Sequence, residues 1–178
     1  MDPQILVACI GNISLGDDGF GVEAARALSA TDMPSGVTVV DYGVRGSDLA
    51  HALLDPWQSV VLVDAVSRGK RPGTIYLMQA ADTAGTSVEM TRLDTHSMDT
   101  AQVLNLARSL GEVHAKVFIV GCEPQDFGDK LRGRTGLSAA VEAAVPEAAS
   151  MVREMVLRLQ QTAATEHSRL DQRMPGAA

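Results

Sequence analysis

Cysteine, aromatic side chains and long apolar runs are all scarce in this 178-residue sequence. The two cysteines, Cys9 and Cys122, lack the CxxC or Cys/His spacing of a zinc site, which predicts buried free thiols in a reducing compartment. No apolar run approaches the roughly 18 residues that a membrane span needs, and no basic segment precedes a signal-like run. We therefore expect a cytoplasmic protein that does not bind membranes.

Positive charge is also scarce, since the formal net charge is -7, and this argues against a general affinity for nucleic acid. Familiar nucleotide and hydrolase motifs are missing too. The stretch GNISLGDDGFG (11–21) does not match G-x-G-x-x-G, no GK[ST] follows it, and neither HExxH nor G-x-S-x-G occurs. Two adjacent aspartates in that loop would repel a pyrophosphate, so no nucleotide cofactor is expected.

Short apolar segments alternate with helical patterns along the chain. The predicted strands are 4–10, 37–42, 59–65, 74–78 and 116–121, and the predicted helices are about 19–30, 46–54, 98–110 and 138–160. Nearly continuous apolar strands favour a sheet covered on both faces. The segment SRGKRPG is too short for a helical crossover, so the fourth strand is expected at an antiparallel edge. The predicted fold is α/β: a three-layer αβα sandwich with a mostly parallel, twisted five-stranded sheet.

A single domain accounts for residues 1–160. The length suits one hydrophobic core, and no internal repeat interrupts the pattern. Residues 161–178 show little apolar periodicity, so we expect them to form a disordered tail.

Acidic side chains follow three of the predicted strands. Asp17 and Asp18 come after the first strand, Asp41 ends the second, Asp64 ends the third, and His96 lies in the loop before the next helix. Ligands of open α/β sheets bind at the carboxyl ends of the strands. Carboxylates crowded there raise one another's pKa unless a divalent cation, a shared proton or a cationic partner compensates. Because aspartate and histidine suit zinc, nickel or manganese, the pattern predicts cation binding or acid/base chemistry at this edge.

Each of these residues also has a structural alternative. Asp17 is expected to cap the following helix, where an acidic side chain meets the positive end of the helix dipole. Asp41 has an equal claim to a hydrogen bond with the backbone of the turn YGVRG. His96 taken alone would more often be a structural loop residue. For Asp64, the apolar neighbours in VLVDAV argue against a solvated surface acid.

Five blocks of the sequence form a recognisable series within residues 4–158. They are GNISLGDDGFGVEAARAL, VVDYGVRGSDL, VVLVDAVSRGKRPGTIYL, DTHSMDTAQVL and VFIVGCEPQDFGDKLRGRTGLSAAVEAAVPEAASMV. In order and spacing, these blocks resemble the hydrogenase maturation proteases. The resemblance implies a twisted sheet sandwiched by helices. It also implies an endopeptidase that removes the C-terminal extension from the precursor of a nickel-iron hydrogenase large subunit after nickel insertion.

The resemblance further implies which residues bind metal: Asp18, Asp64 and His96. Some members carry glutamate at the first of these positions, so the ligand arm is one methylene shorter here. Nickel is expected to arrive with the precursor, and its coordination would select a correctly loaded substrate. The catalytic candidates are Asp18, Asp41 and Asp64. Either a carboxylate serves as general base beside a carbonyl that nickel polarises, or two carboxylates share a proton as in aspartic proteases.

Two other functions fit part of this pattern. A chaperone of hydrogenase assembly would hold nickel or the precursor without cutting, and intact Asp18, Asp64 and His96 count against it. A germination-type protease acting on spore proteins shares the acidic pair, but the short chain and the histidine block count against that reading. We expect the hydrogenase precursor as the partner, and a monomer.

Overall fold

The computed structural model describes residues 4–80, 100–128 and 133–171. Its strands form one sheet in the order β2-β1-β3-β5-β4. They are β1 (Ile5–Ile10), β2 (Val37–Gly43), β3 (Ser59–Ala65), β4 (Ile75–Gln79) and β5 (Lys116–Cys122). β4 pairs antiparallel with β5, whereas the other pairings are parallel. The predicted mostly parallel sheet with one antiparallel edge strand is confirmed.

Helices cover both faces of this sheet. They are a 3-10 turn at Gly16–Gly19, α1 (Phe20–Ser29), α2 (Gly46–Ala52), α3 (Thr100–Leu110) and α4 (Ala139–Asp171). One hydrophobic core lies between the sheet and the pair α1 and α4, and a second lies between the sheet and the pair α2 and α3. The predicted three-layer αβα sandwich is therefore confirmed.

Residues of the central strands alternate between the two cores. Cys9 and Val63 belong to the core under α1 and α4, whereas Ala8 and Leu62 belong to the core under α2 and α3. Because both faces are covered, β1 is buried along its whole length, which explains its unbroken apolar sequence. The same alternation decides on which side of the sheet each strand-end aspartate lies.

The connection from β3 to β4 is held by a residue that follows β5. β5 lies between β3 and β4, so this connection crosses the end of β5. The buried Glu123 carboxylate accepts hydrogen bonds from the Arg68 N–H (2.8 Å), the Gly69 N–H (3.0 Å) and the Tyr76 hydroxyl. Burial raises the pKa of Glu123, but these bonds and one from the Lys70 N–H outweigh burial and hold the pKa below its usual value.

The end of α4 differs from the prediction. The helix was expected to end near residue 160, but it continues to Asp171. The rest of the predicted disordered tail, 172–178, lies outside the described residues. No glycine or proline occurs between Glu147 and Met174, so nothing in the sequence stops the helix at residue 160, even though the segment beyond it lacks an apolar stripe. Among the residues described, no helix combines the length and apolar character that a bilayer crossing requires.

Both cysteines match the sequence prediction. Cys9 and Cys122 are buried and free. Burial, reinforced by nearby carboxylates, raises the pKa of each thiol to about 12. Neither thiol is therefore a nucleophile at neutral pH.

Candidate active site

A glycine brings the start of α1 against the ends of two central strands. A Cβ atom on Gly21 would lie 1.9 Å from the Ile10 carbonyl oxygen and 2.6 Å from the Val63 carbonyl oxygen, so only glycine fits. The 3-10 turn that precedes α1 consequently rests on the carboxyl end of β3. This packing carries Asp18, within the turn, to Asp64 at the end of β3.

Asp18 and Asp64 form a buried acidic pair at this edge of the sheet. Their residues are 7% and 4% exposed. The Thr100 hydroxyl, at the first residue of α3, donates a 2.8 Å hydrogen bond to Oδ2 of Asp64. Burial raises the pKa of Asp64 to about 7: hydrogen bonds from the Thr100 hydroxyl and from the Ala65 and Thr100 N–H groups oppose the rise, and the negative charge of Asp18 adds to it. Near neutral pH, Asp64 is thus poised between its acid and its carboxylate.

Asp41 lies two residues before the end of β2, at the same edge, but is not part of this pair. In the β-sheet register it lies opposite Cys9, whose side chain faces α1 and α4, whereas Asp64 follows Val63 and faces α2 and α3. The Asp41 residue is exposed, and its Oδ1 accepts the Gly43 N–H at 2.9 Å. This bond is the turn interaction that the sequence offered as the alternative to a site role.

Asp17 has a different role from the one predicted. It was expected to cap the following helix, but neither the 3-10 turn nor α1 has a side-chain cap hydrogen bond. Its fully buried carboxylate instead accepts the N–H groups of Gln125 (2.8 Å), Asp126 (3.0 Å) and Ser138 (2.6 Å), and the Ser138 hydroxyl (2.9 Å). Burial raises the pKa of Asp17, yet the Ser138, Asp126 and Gln125 bonds outweigh burial and leave the pKa below 3.8. Asp17 therefore links the 3-10 turn to the segment before α4 by hydrogen bonds.

His96, the third predicted metal ligand, lies outside the described residues, four positions before Thr100 in the sequence. Within residues 4–80, 100–128 and 133–171, no group of three His, Cys, Asp or Glu side chains is arranged to hold a metal ion. Asp18 and Asp64 supply two oxygen-bearing side chains of the predicted set, so a complete set requires a residue from outside these ranges.

Two residues of the site were missed from the sequence. Thr100 stands at the start of a helical pattern and Ser138 stands just before another, where the Glu142 N–H bonds to its carbonyl oxygen. Threonine and serine at these positions are ordinary helix-start signals. The sequence therefore contained a signal at both residues, but that signal predicts a helix cap. Their bonds to Asp64 and Asp17 depend on tertiary contacts.

The fold is that of a three-layer α/β protein. Its buried pair of carboxylates lies at the carboxyl edge of the parallel strands, where ligands of such folds bind, and suits acid/base chemistry or cation binding. A sequence profile of the HycI hydrogenase maturation protease family matches residues 22–155. The chain belongs to the hydrogenase maturation protease family, as the resemblance predicted.

Individual relatives agree with this assignment. The hydrogenase expression/formation protein HupD of Rhizobium leguminosarum bv. viciae is 31% identical over 149 residues, which cover 80% of this chain and 73% of HupD. A protein of Methanocaldococcus jannaschii that is named as a hydrogenase maturation protease is 31% identical over 153 residues, 84% of this chain and 94% of that protein. The solved structure of the hydrogenase maturating endopeptidase HybD from E. coli matches with a TM-score of 0.67 and 28% identity, covering 87% of this chain and 93% of HybD.

Proposed function

We propose that this protein is an endopeptidase that removes the C-terminal extension from the precursor of a nickel-iron hydrogenase large subunit after nickel insertion. The observation that carries the proposal is the buried Asp18 and Asp64 pair, placed at the carboxyl edge of the sheet in a chain of the hydrogenase maturation protease family. HupD is named as a hydrogenase expression/formation protein, and HybD is named as a hydrogenase maturating endopeptidase. The precursor is accordingly the substrate and the partner of this chain.

In this proposal nickel belongs to the substrate. Asp18 and Asp64 together with His96 would bind the nickel already present in the precursor, and a remaining coordination position would be occupied by the precursor itself. Two carboxylates and one imidazole suit a divalent cation of this kind. A precursor without nickel would leave the acidic pair uncompensated, so cleavage would follow metal loading.

Peptide hydrolysis also needs a base for the attacking water. We assign that base to an oxygen of Asp18 or Asp64 that is not bound to nickel, because this buried pair would lie beside the precursor's nickel and the scissile bond. Nickel bound beside the scissile carbonyl would polarise it as a Lewis acid. Asp41, a catalytic candidate predicted from the sequence, receives a supporting role at the edge of the sheet, since its residue is exposed and its carboxylate accepts the Gly43 N–H.

Mass spectrometry of the nickel-loaded precursor, incubated with the wild-type protein, tests the proposal. Loss of a single C-terminal peptide is expected with the wild type, and no loss is expected with His96→Ala or with a nickel-free precursor. His114→Ala is the matched control, because His114 is an exposed histidine whose side chain is 67% accessible, and it should cleave at the wild-type rate.

Each other outcome has a definite meaning. If the wild type binds a competent precursor and leaves it uncut, the endopeptidase proposal is wrong and the protein is a chaperone. If the nickel-free precursor is cut as fast as the loaded one, the enzyme stands but nickel recognition is wrong. If His96→Ala cleaves like His114→Ala, His96 is not a ligand.

A further inference from the structure

Some large apolar side chains remain exposed in the described part of the chain. They are Ile13 (49% exposed), Val44 (66%), Leu77 (54%), Leu110 (48%) and Leu157 (42%). Ile13 and Val44 differ from the other three because they lie in the loops that follow β1 and β2, at the edge of the sheet that holds the acidic pair. Apolar side chains beside a reactive site are candidates for substrate contact.

Ile13 is held directly beside the acidic turn. A Cβ atom on Gly19 would lie only 3.2 Å from the Ile13 Cα, and the Asn12 N–H donates to the Asp18 carbonyl oxygen at 3.1 Å. On the other side of Ile13, the Ser14 N–H donates to Oδ1 of Asn12 at 3.0 Å. The loop is thus fixed by hydrogen bonds on both sides of an apolar side chain that faces solvent.

Val44 is held in the same way in the neighbouring loop. The Arg45 N–H donates to the Tyr42 carbonyl oxygen at 2.8 Å and closes a tight turn around Val44. The two loops are joined, because the Gly11 N–H donates to the Gly43 carbonyl oxygen at 3.1 Å. Ile13 and Val44 therefore belong to one hydrogen-bonded rim.

We propose that Ile13 and Val44 form a docking surface for the precursor segment that surrounds the cleaved bond, and that they select neutral, apolar side chains in that segment. The inference rests on the proposed function, because it takes the precursor as the substrate. Both side chains lie at the edge of the sheet where the acidic pair lies, so a peptide segment bound at that pair would lie next to them. Carboxylates at the rim and a net charge of -7 disfavour binding of an acidic segment. Covering the two exposed apolar side chains with an apolar segment removes their surface from water, which favours binding.

Serine substitutions test the surface. We expect Ile13→Ser and Val44→Ser each to raise KM for the nickel-loaded precursor about fivefold to tenfold, roughly what the loss of one partly covered apolar side chain costs, and to leave kcat unchanged. The double variant should raise KM by about the product of the two factors, and Val44→Leu should keep the wild-type KM. Thermal unfolding of each variant shows whether it is folded.

Leu110→Ser and Leu157→Ser are matched controls, because they remove a similar area of exposed leucine far from the rim. Leu110 is ten residues beyond Thr100 on α3, about 15 Å along the helix, and Leu157 is still farther from the start of α4. Both should keep KM within about twofold of the wild type.

The possible results separate the two proposals. If the wild type does not cleave the loaded precursor, the proposed function fails. If the wild type cleaves and the folded Ile13→Ser and Val44→Ser variants match Leu110→Ser and Leu157→Ser in KM, the docking surface is wrong and the proposed function stands. A fall in kcat with unchanged KM also contradicts a docking role.

Discussion

Asp17 and Asp64 are both buried carboxylates near the same edge of the sheet, and their pKa values shift in opposite directions. Hydrogen bonds from Ser138, Asp126 and Gln125 outweigh burial at Asp17 and lower its pKa. At Asp64, burial and the charge of Asp18 outweigh the hydrogen bonds from Thr100 and Ala65 and raise the pKa to about 7. Burial is common to both residues, so the set of donors and charges around each carboxylate decides its role.

Glu123 repeats the pattern of Asp17 just after the end of β5, at the same edge of the sheet. It is buried, it accepts backbone N–H groups from the connection between β3 and β4, and its pKa is lowered. A carboxylate surrounded by N–H donors is fixed in its charged form and fastens loops together. A carboxylate that faces a second carboxylate remains able to exchange a proton or to receive a cation.

Among substitutions that test the contrast between these carboxylates, the largest effect on cleavage is expected at Asp64. Asp64→Asn should slow cleavage of the loaded precursor by about a thousandfold, because the amide neither accepts a proton nor binds a cation as a carboxylate does. Folding should be preserved, since the amide oxygen still accepts the Thr100 hydroxyl and no charge is buried. Cleavage rate and thermal unfolding measure the two effects. A folded Asp64→Asn variant that cleaves at the wild-type rate would contradict the assignment.

Asp17→Asn should have the opposite result. Both carboxylate oxygens of Asp17 accept donors, so an amide nitrogen would oppose a donor in either orientation. We expect the free energy of unfolding to fall by about 3 kcal/mol, as for lost hydrogen bonds to a buried charge. Urea unfolding gives the value. If this variant were as stable as the wild type but inactive, Asp17 would belong to the reactive group and the contrast with Asp64 would be wrong.

Glu123 provides a pH test. Because the folded-state pKa lies below the unfolded value, near 4.5, its contribution to stability is complete above that pH and is lost as pH falls through the folded pKa. Glu123→Gln should cost about 2 kcal/mol at neutral pH and should lose less stability on acidification than the wild type. Denaturant unfolding from about pH 7 to about pH 3 measures this. Glu154→Gln is the control, because the Glu154 side chain is 71% exposed and pairs only at the surface with Arg158.

Thr100 gives the smallest and most specific effect. Thr100→Val keeps the shape of the side chain but removes the hydroxyl that donates to Asp64. Cleavage should slow about tenfold, consistent with the loss of one hydrogen bond to a carboxylate. Thr100→Ser should restore most of the rate. Equal rates for the valine and serine variants would show that the hydroxyl does not position Asp64.

Local sequence signals were sufficient for the fold and for placing Asp18 and Asp64 at one edge of the sheet. Apolar runs such as ILVACI and SVVLVDA identified buried strands, and Asp64 lies near the end of such a run. These predictions succeeded because strand periodicity depends on short stretches of sequence and the ends of parallel strands meet at one edge.

The hydrogen-bond partners of each carboxylate could not be predicted from the neighbouring sequence. Asp17 binds Gln125 and Ser138, which lie 108 and 121 positions away in the sequence. A helix cap is the expected role of an acidic residue before a helix, and only the tertiary fold brings these stronger donors to it. The placement of β4 beside β5 likewise depends on how the sheet assembles. The short connection between β3 and β4 indicates that β4 is an edge strand, but it does not indicate which strand β4 pairs with.

The pKa values of the aspartates test the central contrast most directly. Carbon-detected NMR titration of the protein with carbon-13-labelled aspartate, with Asp64→Asn and Asp17→Asn used to assign the signals, would follow both residues in one sample. We predict that Asp64 titrates near pH 7, that its pKa falls in Asp18→Asn, and that Asp17 titrates below 3.8. An Asp64 signal that titrates near the ordinary value of 3.8, unaffected by Asp18→Asn, would contradict the buried acidic pair.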